Sequence, residues 1–226
     1  MAVHFAAELE ALKQKLLTMA ALAETAVSRA LKAIVDRDDD LARQVEESDS
    51  EIDRLEMEVD EAAISLLSKA PLASDLRLIT VAMKISHDLE RVGDEATTIA
   101  RRARDLNREP PPAAASPELP RMAEQALSML KRALDSFVHH DPARARQIIP
   151  EDKEVDRLNK HLYRELANLM VQDPQTITRS LNLMTVSKCL ERIADHATNI
   201  AEEVVYVCEA IDVRHSAQPP PAAPGE

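Results

Sequence analysis

The feature that most constrains the fold of this chain is an internal repeat. At an offset of 103 residues, the segment "DSEIDRL" (49–55) aligns with "DKEVDRL" (152–158). Beyond Pro71 and Pro174, which also align, the offset becomes 101, and residues 83–100 are identical to residues 184–201 at 10 of 18 positions. Agreement over so much of the chain indicates a tandem duplication, so we expect two halves of similar structure.

Each half is predicted to contain three long helices, because apolar residues recur at helical spacing along most of the chain. Hydrophobic residues make up 45% of the sequence but aromatic residues only 2%, which favours helices packed on one another over a β-sheet. We therefore predict an all-α fold of two tandem antiparallel three-helix bundles. The helices are expected at about 3–35, 39–69, 74–106 (with Ser74 as N-cap), 118–140, 143–172, and from the turn at Pro174 to 213.

Proline-rich segments mark the predicted boundaries. The stretch "NREPPPAAASPELP" contains five prolines in 14 residues, a composition typical of a stiff linker. We predict a first repeat at 1–107, a Pro/Ala linker at 108–117, a second repeat at 118–213 and a disordered tail at 214–226. Within the fifth helix, Pro150 is expected to introduce a kink or to mark the start of the helix.

Carboxylates four residues apart stand out in the third helix. In "DLERVGDE" (88–95), Glu90 and Asp94 share one helix face, beside a stripe of the small residues Ser86, Gly93 and Ala100. A glycine inside a helix costs roughly 1 kcal/mol relative to alanine, so a reason for it is required. Small residues let a neighbouring helix approach closely, and we expect these acids to lie at a helix–helix seam.

Related pairs occur on the neighbouring helices. Asp53 precedes Pro71 by 18 residues and Glu90 follows it by 19, so a hairpin at this proline brings two pairs level. The second half preserves the arrangement, with 18 and 17 residues around Pro174. The two predicted sets are Asp49, Asp53, Glu90 and Asp94 in the first half, and Asp152, Asp156, Glu191 and Asp195 in the second half.

Four carboxylates in one seam repel one another unless they are protonated or neutralised. Hard or borderline cations with oxygen ligands would neutralise them, so we predict that these eight residues are metal ligands. The alternative is that the acids point outward and are balanced by arginines that follow an acid in each motif, namely Arg54, Arg91, Arg157 and Arg192.

The repeated segments resemble those of the PhoU family of phosphate-signalling regulators. The resemblance rests on "DLRLITVAMKISHDLERVGDEATTIA", "LMTVSKCLERIADHATNIA", "DSEIDRLE" and "DKEVDRLN", and it extends over about residues 3–212. It implies a six-helix, two-repeat protein that binds multinuclear metal clusters through the eight acids above. The sequence departs from the family pattern at His87, where Asn is frequent, and at Glu95, where His is common. Iron or zinc is the expected metal, with Mg, Mn, Ni or Ca as further candidates.

The same resemblance implies a regulator and not an enzyme. Family members repress the phosphate-starvation response when phosphate is plentiful, through contacts with the ATPase of the phosphate ABC transporter and with the phosphate-sensing histidine kinase. We also expect a homodimer. Pro150 precedes the acids of the fifth helix directly, so the second site is expected to be the weaker one.

Charge and segment composition restrict the other function classes. The formal net charge of −12 argues against a nucleic-acid partner, which requires clustered Lys and Arg. The N-terminus lacks the pattern of a signal peptide, and apolar runs are too short to span a bilayer. Cys189 and Cys208 are badly placed to bridge each other. A cytoplasmic protein with only indirect membrane association is expected.

Other functions are weighed against the resemblance. A di-metal oxidase of the ferritin-like class needs Glu-x-x-His pairs, and none of the predicted acids has a His three residues later. We expect His87 and His196 to be surface or supporting residues. The sequence contains no phosphate-binding loop of the kind that would predict ATP hydrolysis. The remaining alternatives are a metal-free acidic helical adaptor and, less favoured, a carboxylate-bridged metal protein with a storage or redox role.

Overall fold

A computed structural model describes residues 2–69, 72–109 and 117–214, and within these ranges the chain is helical and contains no strand. The first half contains α1 (Ala2–Val35), α2 (Asp39–Leu67) and α3 (Ala73–Asn107). The second half contains α4 (Glu118–His139), α5 (Pro142–Ile148), α6 (Asp152–Gln172) and α7 (Ile177–Glu209), with short 3₁₀ turns at Ile149–Glu151 and Pro174–Thr176. The predicted all-α, two-bundle architecture is confirmed.

Carboxylates define where several helices begin. The side chain of Asp38 accepts hydrogen bonds from the backbone N–H groups of Asp40 and Leu41 at 3.0 and 2.9 Å, which satisfies donors that the first turn of α2 leaves free. Asp141 does the same for α5, whose first residue is Pro142. The predicted cap at Ser74 is wrong: Leu72 occupies the N-cap of α3, and Asp75 accepts a hydrogen bond from its N–H.

The fifth predicted helix is divided at Pro150. This proline lies in the 3₁₀ turn Ile149–Glu151, which separates α5 from α6. Proline cannot donate the backbone hydrogen bond that a continuous α-helix requires. At the equivalent position of the first half, Glu47, α2 continues without interruption. The interruption predicted from the sequence is therefore real, and it places Asp152 in the first turn of α6.

The seams of small residues are buried as predicted. Ser86, Gly93 and Ala100 of α3 are all buried. A Cβ added to Gly93 would lie 3.0 Å from Ile52 Cδ1 on α2, closer than ordinary van der Waals contact. The two halves repeat one core contact: Ser86 Oγ lies 3.4 Å from the sulfur of Met19, and Ser187 Oγ lies 3.4 Å from the sulfur of Met122. Glycine at position 93 thus provides clearance for α2.

The two halves pack on each other mainly through α3 and α7, with a smaller contact between α1 and α4. Asp88 of α3 lies in this interface, where His196 Nδ1 is 2.8 Å from its Oδ1 and Asn199 donates to the same oxygen at 3.1 Å. His196 is half-buried and joins the two repeats, a contact that the sequence did not predict.

Most of the predicted linker and tail falls outside the described residues, at 110–116 and 215–226, as do residues 70 and 71 of the first hairpin. The boundaries of the two repeats consequently stay predictions, although α3 ends at Asn107 and α4 begins at Glu118. The last helix ends at Glu209, four residues before the predicted end. Among the described residues, none of the helices combines the length and apolarity needed to cross a membrane.

We expect Ala210→Gly to stabilise the protein by about 1 kcal/mol, because Ala210 has a left-handed backbone at φ 59° that disfavours any residue with a Cβ. Its N–H donates to the carbonyl of Tyr206 at 2.9 Å and so closes α7. The free energy of unfolding in urea measures the gain. As a control, Ala167→Gly on the exposed side of α6 should lower stability by roughly 0.5–1 kcal/mol. Equal effects of the two substitutions would contradict this account.

Candidate metal centre

The first predicted set of acids lies where α2 meets α3. Loss of hydration in the seam, followed by the charge of Asp53, raises the pKa of Asp49, and the charge of Asp94 contributes in the same direction. Loss of hydration and the charge of Asp94 likewise raise the pKa of Glu90. Asp53 is exposed. The structure thus brings the acids of two helices close enough to repel one another, as the hairpin argument predicted.

The second set lies where α6 meets α7 and is more strongly perturbed. Loss of hydration, followed by the charges of Asp195, Asp156 and Glu191, raises the pKa of Asp152 to about 6. Partial loss of hydration and the charge of Glu191 also raise the pKa of Asp195, which sits at the exposed rim of the seam. We call the two sets the first and second carboxylate faces.

Both faces contain buried oxygen atoms that make no hydrogen bond. In the first face this is Glu90 Oε2, while the hydroxyl of Thr97 lies beside Asp49 and opposes the rise in its pKa. In the second face they are Asp152 Oδ1 and the hydroxyl of Thr198, the repeat equivalent of Thr97. A buried oxygen without a donor is costly, and a cation would compensate it. These donor sets therefore fit an oxygen-ligated metal, and metal binding itself stays a prediction.

The arginine alternative applies to one motif. Arg91 lies 3.3 Å from Glu90 and 3.3 Å from Asp94. The other three named arginines form their ion pairs elsewhere: Arg54 with Glu51 and Glu58, Arg157 with Glu154, and Arg192 with Glu95 of the first repeat. Two lysines also neutralise acids of the second face, which the sequence did not predict. Lys160 lies 3.2 Å from Asp156, and Lys188 pairs with Glu191.

Sequence reasoning missed the tightest groups of ligand atoms. Among the described residues, two sets place one ligand atom from each of three side chains within 4.8 Å of one another: Glu56, His87 and Glu90, and Glu118, His161 and Glu165. Neither set consists of predicted ligands, and Glu90 is the one residue they share with the prediction. His87 and Glu90 are three residues apart on α3, a spacing that places both side chains on one face of the helix and could have indicated the pair from the sequence. The partner from α2 required the tertiary structure.

Comparison with known proteins follows the same two-repeat division. The PhoU domain profile matches residues 16–103 and 119–204. The chain is 43% identical over 213 residues to the phosphate-specific transport system accessory protein PhoU homolog of Pseudomonas aeruginosa, covering 94% of this chain and 88% of that protein. It is 35% identical over 214 residues to the phosphate-specific transport system accessory protein PhoU of Escherichia coli, with coverages of 94% and 88%.

Solved structures of PhoU proteins have the same fold as this chain. The crystal structure of PhoU from Pseudomonas aeruginosa has a TM-score of 0.89 and 42% sequence identity, and the match covers 92% of this chain and all of that chain. The phosphate transport system regulatory protein PhoU from Streptococcus pneumoniae has a TM-score of 0.85 and 29% identity, covering 92% of this chain and 99% of that chain. The profile match in both halves, the identities and the shared architecture establish that this chain belongs to the PhoU family.

Proposed function

We propose that this protein is an accessory regulator of a phosphate-specific transport system and that it acts through protein–protein contacts, not catalysis. It represses the phosphate-starvation response and high-affinity phosphate uptake when phosphate is plentiful. Its partners in this proposal are the ATPase of the phosphate ABC transporter and the phosphate-sensing histidine kinase. The observation that carries the proposal is the match of both repeats to PhoU proteins that are named as accessory or regulatory proteins of phosphate transport.

The proposal includes metal binding at the two carboxylate faces. What supports it is the burial, followed by the mutual repulsion, that raises the pKa values of Asp49, Glu90, Asp152 and Asp195, together with the buried oxygens that make no hydrogen bond. In this proposal a bound cation neutralises each face and holds α2 against α3 and α6 against α7. Iron or zinc is the expected metal. The homodimer and the cytoplasmic location stay predictions.

Deletion of the gene tests the regulatory role. We expect a transcriptional reporter for starvation genes to rise in phosphate-rich medium to the level of starved cells, and the wild-type chain supplied in trans should restore repression. Unchanged reporter expression in the deletion strain would count against the proposal. In parallel, the purified chain should retain the transporter ATPase and the cytoplasmic part of the sensor kinase in pull-downs. Binding to neither protein would contradict the proposed partners.

The same pull-down tests the part that the first face plays. Glu90→Ala/Asp94→Ala should weaken partner binding while the helical circular dichroism spectrum and the unfolding transition persist. Glu47→Ala/Glu61→Ala provides a matched control, because it removes two exposed carboxylates of α2 outside the seam. If the face variant loses its folded structure instead of its partner binding, the acids are structural.

A second candidate, the metal-free acidic adaptor, is favoured by the protein's own cations. Arg91, Lys160 and Lys188 already contact acids of the two faces, so part of the repulsion is balanced without metal. Metal analysis of protein purified without chelator and without an affinity metal distinguishes the two functions. Metal bound in stoichiometric amounts supports the carboxylate sites, and essentially metal-free protein that still binds its partners supports the adaptor.

A further inference from the structure

The first repeat contains a compact group of three side chains that includes an imidazole. Glu56 from α2 and His87 and Glu90 from α3 each place one ligand atom within 4.8 Å of the other two. His87 Nδ1 lies 3.2 Å from Glu56 Oε1. Glu90 Oε2 is buried and makes no hydrogen bond. It forms an ion pair with Arg91, whose Nε lies 3.3 Å away. The Arg91 side chain is half exposed, so it has room to turn toward solvent.

The second repeat has a different chemistry at the same three positions. The equivalents of Glu56, His87 and Glu90 are Asn159, Lys188 and Glu191. Asn159 is buried and accepts a hydrogen bond from Ser187 at 2.6 Å. The ammonium of Lys188 pairs with Glu191, and an ammonium group has three donors and no lone pair to offer a metal. Where the first repeat has three potential ligands, the second has an internal ion pair.

The ligand atoms indicate which kind of cation the group would take. Imidazole nitrogen with carboxylate oxygen suits borderline metals such as zinc, whereas carboxylates alone suit magnesium, calcium or manganese. We propose that Glu56, His87 and Glu90 form a site for a borderline divalent cation in the first repeat, and that the second repeat has no counterpart. The inference rests on the proposed metal binding, and it makes the two repeats chemically unequal.

Cobalt(II) and zinc(II) titrations of chelator-treated protein test the proposal at pH 7.5. The first variant is His87→Ala, and the matched control is His161→Ala, which removes a similarly exposed histidine placed between two glutamates, Glu118 and Glu165. Both histidine side chains are exposed and alanine favours the helix, so both variants should fold. We expect His87→Ala to weaken the tightest cobalt and zinc binding by at least roughly tenfold, with loss of the visible absorption of nitrogen-ligated cobalt. His161→Ala should leave both unchanged.

Glu56→Gln gives an independent check, because it removes a carboxylate and keeps the imidazole. It should weaken the same binding. Unchanged cobalt affinity in His87→Ala, or an equal loss in His161→Ala, would overturn the proposal and leave His87 and Glu56 as a simple hydrogen-bonding pair.

Manganese(II) binding, followed by electron paramagnetic resonance, separates this inference from the broader proposal. If manganese binds and cobalt affinity does not depend on His87, the carboxylate faces bind metal and the histidine site is wrong. If the wild-type chain binds neither manganese nor cobalt, both the histidine site and the metal part of the proposed function fail.

Discussion

Replacing Asp152 and Asp195 by asparagine should stabilise the metal-free protein at pH 7.5 and remove most of the stabilisation that added metal gives. In the metal-free state the variant loses carboxylates that burial and mutual repulsion disfavour. We expect a gain on the order of 1 kcal/mol, discounted because both side chains are partly exposed and screened. With metal at 100 times its dissociation constant, the wild type should gain about 2.7 kcal/mol and the variant little. The free energy of unfolding in urea, with chelator and with metal, measures both effects.

The pH dependence of the metal-free protein provides a second readout. The pKa of Asp152 is about 6 in the folded state, above its ordinary value of 3.8. Between these values the folded state binds more protons than the unfolded state, so the unfolding free energy falls as pH rises from about 4 to about 6. This fall should be smaller in the Asp152→Asn/Asp195→Asn variant, and its advantage over the wild type should shrink toward pH 4.

Glu47→Gln/Glu61→Gln is the matched control, because it neutralises two exposed carboxylates of α2 that lie outside the faces. It should change stability by only a few tenths of a kcal/mol and leave the metal effect intact. If Asp152→Asn/Asp195→Asn is less stable than the wild type when both are metal-free, the repulsion between these carboxylates is contradicted. Such a result would mean that Asp152 and Asp195 stabilise the seam without any cation.

Gly93→Leu should destabilise the protein by about 2 kcal/mol and also weaken metal binding at the first face. A Cβ at this position would already lie 3.0 Å from Ile52 Cδ1 and 3.4 Å from Asp49 Oδ1, so a larger side chain must push α2 away from α3. Separating these helices moves Asp49 away from Glu90 and Asp94. Urea unfolding measures the first effect, and manganese titration measures the second.

Gly93→Ala is the informative control for this prediction. Its added methyl group must displace the end of the Ile52 side chain by a few tenths of an ångström, but alanine gains roughly 1 kcal/mol of helix propensity over glycine. The two effects oppose each other, so we expect a small net change. Comparable stability of the alanine and leucine variants would show that the seam is not tightly packed at this position.

Much of the architecture follows from local patterns. The repeat, the helical periodicity and the spacing of Glu90 and Asp94 are properties of the chain within one or two helices. Such patterns persist because an α-helix fixes which residues share a face. The effect of Pro150 is equally local, since its missing N–H interrupts a helix whatever surrounds it. These features predicted the two bundles, the break before α6 and the seams that contain the acids.

Other features depend on how helices rotate and slide against one another. The sequence alone does not indicate that Glu56 of α2 reaches His87 of α3 at 3.2 Å, or that Lys188 pairs with Glu191 where the first repeat has an imidazole. Nor does it indicate that His196 reaches Asp88 across the interface of the repeats. These contacts join residues far apart in the chain, and packing of side chains between helices sets their register. The sequence by itself determined the duplicated helices and the acids they carry, and the tertiary structure decided which of those acids meet a histidine, a lysine or each other.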